Sequence, residues 1–197
     1  GYPLTSDYNG ANQEGFGQTQ LTIHKGRRCS ASTAYLHPIM ARSNLSVKTG
    51  AFVTSILFDG NRAIGIEYIK DGKPITVRAE RELILSGGAI NSPQIMMLSG
   101  IGPTDHLEKL NIKPRLHHPH VGRNLQDHPS IVLQYSRTDD SRFQRQLRYD
   151  RLTISIVQAV LTGTGFATEN PAQVMAFIKS SKNLEMPDIQ LFCRAGL

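Results

Sequence analysis

Apolar and polar residues alternate along the middle of this 197-residue chain, and the alternation is interrupted at two Asp-Gly pairs. Val53 to Phe58, Ala63 to Ile69 and Ile75 to Ala79 change character with a period of two, as strands with one buried face do. Asp59-Gly60-Asn61 and Asp71-Gly72-Lys73 stand between them. Such turns tolerate the positive φ that tight hairpins need, so the segment predicts a small antiparallel meander, with Val47 and Thr49 extending it at the front. The next apolar run, Leu83 to Leu85, ends at Gly87 and Gly88 and predicts a strand that stops where the backbone turns. A helix should follow at once, with Asn91 or Ser92 as cap, Pro93 at its first position and Gly100 as its stop. Read locally, this unit is either an ordinary βα turn or one wall of a nucleotide cradle.

The flanking patterns are less regular. Residues 1–22 are polar and glycine-rich and read as loop, and Ser30, Ser32 and Thr33 precede an apolar run that predicts a helix through about Met40. Thr104 is placed to cap a short helix through Leu110, ended by Asn111. Ile131 to Tyr135 reads as a strand, Ser136 to Tyr149 as a basic polar linker or lid, and Leu152 to Leu161 as an apolar helix. Gly163, Gly165, Asn170 and Pro171 mark a loop, and Val174 to Ile178 and Ile189 to Cys193 return to strand.

At 39% hydrophobic residues the chain is too apolar for disorder. Its formal net charge of +6 is scattered, with only Lys25, Arg27 and Arg28 closely grouped, so it lacks the concentrated basic face of a nucleic-acid binder. Cys29 and Cys193 give neither a metal spacing nor a disulfide framework, which points to a reducing, cytoplasmic compartment. No apolar run reaches the roughly 20 residues that span a bilayer. Association with a membrane surface stays open. His117, His118 and His120 cluster without carboxylate or cysteine partners and read as a histidine-rich loop, not a metal site.

The stretch 88–102, GAINSPQIMMLSGIG, resembles the second signature of the glucose–methanol–choline (GMC) oxidoreductases. Further blocks stand in the order of that family: DYNG at 7–10, QEGFG at 13–17, GRRCS at 26–30, AYL at 34–36, Asn44-Leu45, AIGIEY at 63–68 and NLQDH at 124–128. The resemblance spans nearly the whole chain and is nearest to the choline dehydrogenase and alcohol dehydrogenase branch. It implies an α/β (α+β) fold in which residues 1–130 form the central part of an FAD-binding, Rossmann-like domain with an antiparallel meander. Residues 131–197 would begin a sheet-based substrate domain. It further implies FAD as cofactor of the intact protein, a small-molecule alcohol as substrate and an unidentified electron acceptor. The activity implied is oxidation of a primary alcohol to an aldehyde by hydride transfer to flavin.

Carried over position by position, the resemblance puts the backbone of Val53 beside the adenine. Ser86, Gly87, Gly88 and Ala89 fall where small residues let the backbone pass the dinucleotide, and Asn124, Asp127 and His128 fall in the loop covering the flavin. It also shows departures. No GxGxxG occurs, since the pairs at Gly15, Gly100 and Gly163 lack a third glycine, and the family's catalytic histidine pair lies beyond the matching region. An internal fragment with no catalytic residue of its own is therefore expected, and neither His128 nor the 117–120 cluster inherits that role. Two alternatives accompany this reading: a catalytically silent fragment or binding module, and an FAD-containing hydroxynitrile lyase of the same fold. For choline as substrate an ammonium cage is needed, and with no tryptophan the sequence offers no obvious cluster to build one.

Overall fold

The structure, a computed structural model, describes residues 1–136, 138, 142–169 and 172–194. In chain order the strands are β1 (Gly15–Gln18), β2 (Ile23–His24), β3 (Arg27–Arg28), β4 (Phe52–Asp59), β5 (Arg62–Lys70), β6 (Lys73–Arg78), β7 (Ile101–Gly102), β8 (Leu116–His117), β9 (Val174–Ile178) and β10 (Ile189–Cys193). The α-helices are α1 (Gly88–Leu98), α2 (Thr104–Lys109), α3 (Arg142–Gln146) and α4 (Tyr149–Thr162). Helix and strand are mixed, as the expected fold class requires, and the sheets are small. The chain forms two compact units, residues 46–132 and residues 1–45 with 133–197.

The first of these units is built on the expected meander. β4, β5 and β6 pair antiparallel, with Phe52 opposite Ile69 and Ile66 opposite Val77. Gly60, Asp71 and Gly72 take the positive φ that the turn sequences predict. At Gly65, which is buried, a Cβ would collide with the Val77 carbonyl oxygen, so the close approach of β5 and β6 admits glycine alone. The strand begins at Phe52, and Val47 and Thr49 lie outside any ladder.

Three further expectations in this unit fail. Leu83 to Leu85 is not a strand: Ile84 is 77% exposed, and among the described residues no strand offers it a ladder. An apolar run becomes a strand only where backbone partners exist. α1 starts at Gly88, capped by Gly87 without a side-chain bond, so Asn91 and Ser92 are not caps and Pro93 lies inside the helix. Pro93 deprives the Ala89 carbonyl of its donor, and that carbonyl belongs to an exposed residue. Gly100 does end the helix, at φ +83 and with its amide donating to the Met97 carbonyl. Thr104 is the first residue of α2, not its cap. Its hydroxyl sits 2.9 Å from His117 Nδ1, and its amide donates to the same nitrogen at 3.3 Å. Asn111, at φ +57, ends α2 as expected, and Leu107 beneath it is fully buried.

In the other unit β9 is the central strand of an antiparallel sheet, flanked by β1 and β10. Met175 and Ala176 are buried in it beside Tyr8, whose ring lies 5.6 Å from Phe177 and whose hydroxyl accepts the Gln20 amide at 2.6 Å. Both expected late strands form at their expected bounds. The helix expected to reach Met40 is instead a π-helical turn, Ser32–Leu36, followed by a 3₁₀ turn, His37–Ile39. Pro38 has no amide for Ala34, which breaks the α ladder there. Ile131 to Tyr135 forms no strand and is exposed, again for want of a ladder. α3 lies within the expected linker, of which residues 137 and 139–141 are outside the described residues. α4 extends the expected helix and stops at Gly163, φ +68. The loop beyond contains Gly165 at φ +98, while Asn170 and Pro171 are likewise outside the described residues.

Candidate functional site

All eight expected cofactor contacts lie in the unit of residues 46–132. Ser86, Gly87, Gly88 and Ala89 are contiguous and exposed where the chain enters α1. Gly88 has φ +87, and no atom lies within 4 Å of the point where its Cβ would stand. Gly87 differs: its φ is −77, and a Cβ would lie 3.2 Å from Asn91 Cβ. The first turn of α1 has no side-chain cap and no acidic residue. Its leading N–H groups therefore carry no side-chain partner and lie next to a surface with no side chains at Gly87 and Gly88, so a ligand is able to approach the backbone itself.

Val53 is half-buried in β4, opposite Tyr68, next to the β-bulge between Val53 and Ser55. α1 packs against this strand and is tied to it by Ser99. The Ser99 hydroxyl accepts the Ile56 amide at 2.8 Å and donates to the Ile95 carbonyl at 2.6 Å. Gly122, two residues ahead of the 124–128 loop, lies against the same helix, where a Cβ would lie 3.1 Å from Met97 Cε. Asn124 takes φ +59, and Asp127 Oδ1 accepts the His128 amide at 2.8 Å, so this loop is braced by its own polar groups. Asn124, Asp127 and His128 are exposed. β4 and α1 thus share one framework, with Ser99 as its joint. Sequence reasoning passed over Ser99, whose only local signal was a hydroxyl residue placed before a terminating glycine.

The model of the GMC oxidoreductase family matches residues 1–130, two thirds of the chain. The chain belongs to this family. Among GMC relatives, an oxygen-dependent choline dehydrogenase of Staphylococcus saprophyticus is 43% identical over 189 residues, covering 96% of this chain and 34% of the relative. The mitochondrial choline dehydrogenase of Homo sapiens is 45% identical over 190 residues, covering 96% of this chain and 32% of the relative. The chain thus spans about a third of the length of these GMC proteins. Among solved structures, an FAD-dependent oxidoreductase from Chaetomium thermophilum superposes with a TM-score of 0.78 at 26% identity, over 86% of this chain and 31% of its own. A formate oxidase, at 22% identity and a TM-score of 0.72 over 89% of this chain and 31% of its own, shares the GMC fold.

Proposed function

We propose that this chain is a segment of an FAD-dependent alcohol oxidoreductase that forms one wall of the cofactor site. The observation that carries the reading is the 43–45% identity, across 96% of the chain, to proteins named choline dehydrogenase. The local structure fits the cofactor. The opening at Gly88, where a Cβ would meet nothing, and the uncapped start of α1 suit a dinucleotide lying against the backbone. Val53 would offer its backbone to the adenine, Ser86 to Ala89 would permit close approach, and the loop of Asn124, Asp127 and His128 would cover the flavin. FAD, when bound, supplies a hydride acceptor that no amino-acid side chain provides.

Residues 1–130 belong to the FAD domain in this reading and 131–197 open the substrate domain, with β1 reaching across that division to pair with β9. The catalytic base lies outside these residues. The substrate is a primary alcohol that becomes an aldehyde, with choline-type alcohols first in line because of the relatives' names. Free Cys29 and Cys193 support a reducing, cytoplasmic setting. Among the described residues no helix is long and apolar enough to cross a membrane.

The test uses the complete polypeptide that carries this segment. It should purify with flavin absorbance that falls under anaerobic conditions when a primary alcohol is added. Absence of flavin overturns the proposal, and bound flavin indifferent to a panel of alcohols favours a lyase of the same fold. The 197-residue chain alone should show no stoichiometric FAD binding, because the phosphate-binding glycine motif is not in it.

A further inference from the structure

In the unit of residues 1–45 and 133–197, β1 stands at the end of its sheet, and a groove of about 720 Å³ lies alongside it. The apolar lining is Leu4, Phe16, Leu21 and Val174, of which Leu4 is 89% exposed, Leu21 43% and Val174 39%. The hydroxyls that line the groove are not alike. Thr5 Oγ1 accepts the Asp7 amide at 3.3 Å, and Thr168 Oγ1 donates to the Gly165 carbonyl at 2.7 Å. Thr19 Oγ1 is buried and has no hydrogen-bond partner among the described residues. Buried polar atoms are almost always paired in a finished fold, so this one calls for a partner from outside the 197 residues.

The same edge carries unpaired backbone. Its first part is covered by the chain itself: the Phe16 amide donates to the Pro3 carbonyl and the Thr5 amide to the Phe16 carbonyl, both at 2.9 Å, with Leu4 bridged in parallel to Phe16. The polar backbone groups of Phe16 therefore point away from β9. Strand backbone alternates sides with a period of two, so the amide and carbonyl of Gln18 point the same way, whereas the Thr19 amide turns inward to the Gln173 carbonyl at 3.0 Å. Beyond Thr5 the chain leaves this edge through a turn in which the Gly10 amide donates to the Asp7 carbonyl. Gln18 thus presents a donor and an acceptor at the groove with no described strand opposite them. An extended peptide satisfies both at once, as an added strand does, and a ligand without a backbone does not reproduce that pairing.

We propose that this groove is the docking site of an extended segment of the complete polypeptide, from outside residues 1–197, which adds a strand to β1. Its backbone pairs with Gln18, an apolar side chain fills the space beside Phe16, Leu21 and Val174, and a polar group meets Thr19 Oγ1. The inference rests on the oxidoreductase reading for its source of chain. This chain spans about a third of its choline dehydrogenase relatives, so in that reading about two thirds of the polypeptide is tethered to the groove. Tethering gives such a segment an effective concentration of roughly millimolar order, which favours it over a separate protein.

The test uses the complete polypeptide with p-benzoylphenylalanine in place of Leu21, irradiated in a mixture of ordinary and isotope-labelled copies and digested for mass spectrometry. Crosslinks should join position 21 to a peptide of the same molecule from outside residues 1–197. Crosslinks to a second copy, to residues within 1–197 only, or to no peptide overturn the proposal. Hydrogen exchange supplies a measurement that needs no probe. The Gln18 amide should exchange at least about a hundred-fold more slowly than in an unstructured peptide. Thr19→Val should speed that exchange about ten-fold and lower the Tm, while Thr19→Ser preserves both. Free exchange at Gln18 overturns the proposal, and so does a higher Tm in Thr19→Val, the result expected where the hydroxyl simply has no partner. Flavin separates the two readings: a polypeptide that binds flavin and bleaches with alcohol but leaves Gln18 unprotected overturns this inference alone, and one that docks the strand without flavin overturns the oxidoreductase reading alone.

Discussion

Replacing Ser99 with alanine should loosen α1 from the meander, and the cost can be worked from two hydrogen bonds. The bond from the Ser99 hydroxyl to the Ile95 carbonyl is redundant, because the Ser99 amide donates to the same oxygen at 3.1 Å. The bond from the Ile56 amide is not redundant: the Ser99 hydroxyl is the acceptor that satisfies this half-buried N–H. Alanine offers no acceptor, so the variant loses a net bond worth about 1 kcal/mol and leaves a donor partly desolvated, for a total of about 1.5–2 kcal/mol. Native-state hydrogen exchange reads this directly. Protection of the Ile56 amide should fall by about ten-fold or more, while amides of β9 in the other unit keep theirs. A fall under about two-fold at Ile56, or an equal fall in both units, would show that the hydroxyl does not join helix to strand.

Gly88→Ala should cost about 1–2 kcal/mol through its positive φ alone, since no atom stands where the new Cβ would go. In the complete polypeptide it should also weaken FAD binding at least about ten-fold, and unchanged flavin affinity would remove Gly88 from the cofactor site. Gly65→Ala should cost about 1–3 kcal/mol in urea unfolding, because the Cβ meets backbone and not a movable side chain. The Asp188 carboxyl is held below its ordinary value by the Ser180 hydroxyl at 2.6 Å and the Ser180 amide at 2.7 Å. Its stabilisation is therefore complete above the unfolded-state value of about 3.9 and is lost as pH falls through the lower folded value. Asp188→Asn should flatten that acid-side loss of protection in the β9–β10 hairpin, and an unaltered pH profile would discount the contact.

The parts of the fold legible in the sequence are those specified by neighbours in the chain. Asp71 and Gly72 turn the meander by their own backbone preferences, and Gly163 ends α4 for the same reason. Two apolar runs misled, Leu83 to Leu85 and Ile131 to Tyr135, because apolarity says that a segment can be buried and not which backbone will pair with it. Pro93 misled in another way. It favours a helix start but is tolerated in an interior where the orphaned carbonyl reaches solvent, and the glycines upstream let the helix begin earlier.

These departures from local rules are not evenly distributed. In the meander, alternation, turn chemistry and glycine placement agree, as they do where stability alone is at stake. Between Gly87 and Pro93 they conflict: the helix lacks a side-chain cap, begins with a positive-φ glycine and carries an interior proline. Serine or aspartate in place of Gly87 would cap only slightly better, by a few tenths of a kcal/mol, so the glycine cap itself is cheap. At Gly88 the backbone takes a positive φ that glycine alone adopts without strain. Its φ explains why alanine is excluded but not why the chain adopts that φ beside empty space. In the proposed FAD site, that conformation would present unshielded backbone to the dinucleotide. Flavin binding should accordingly raise protection most at the amides of the first turn of α1, and uniform protection across the unit would break this link between the positive-φ glycine and the proposed site.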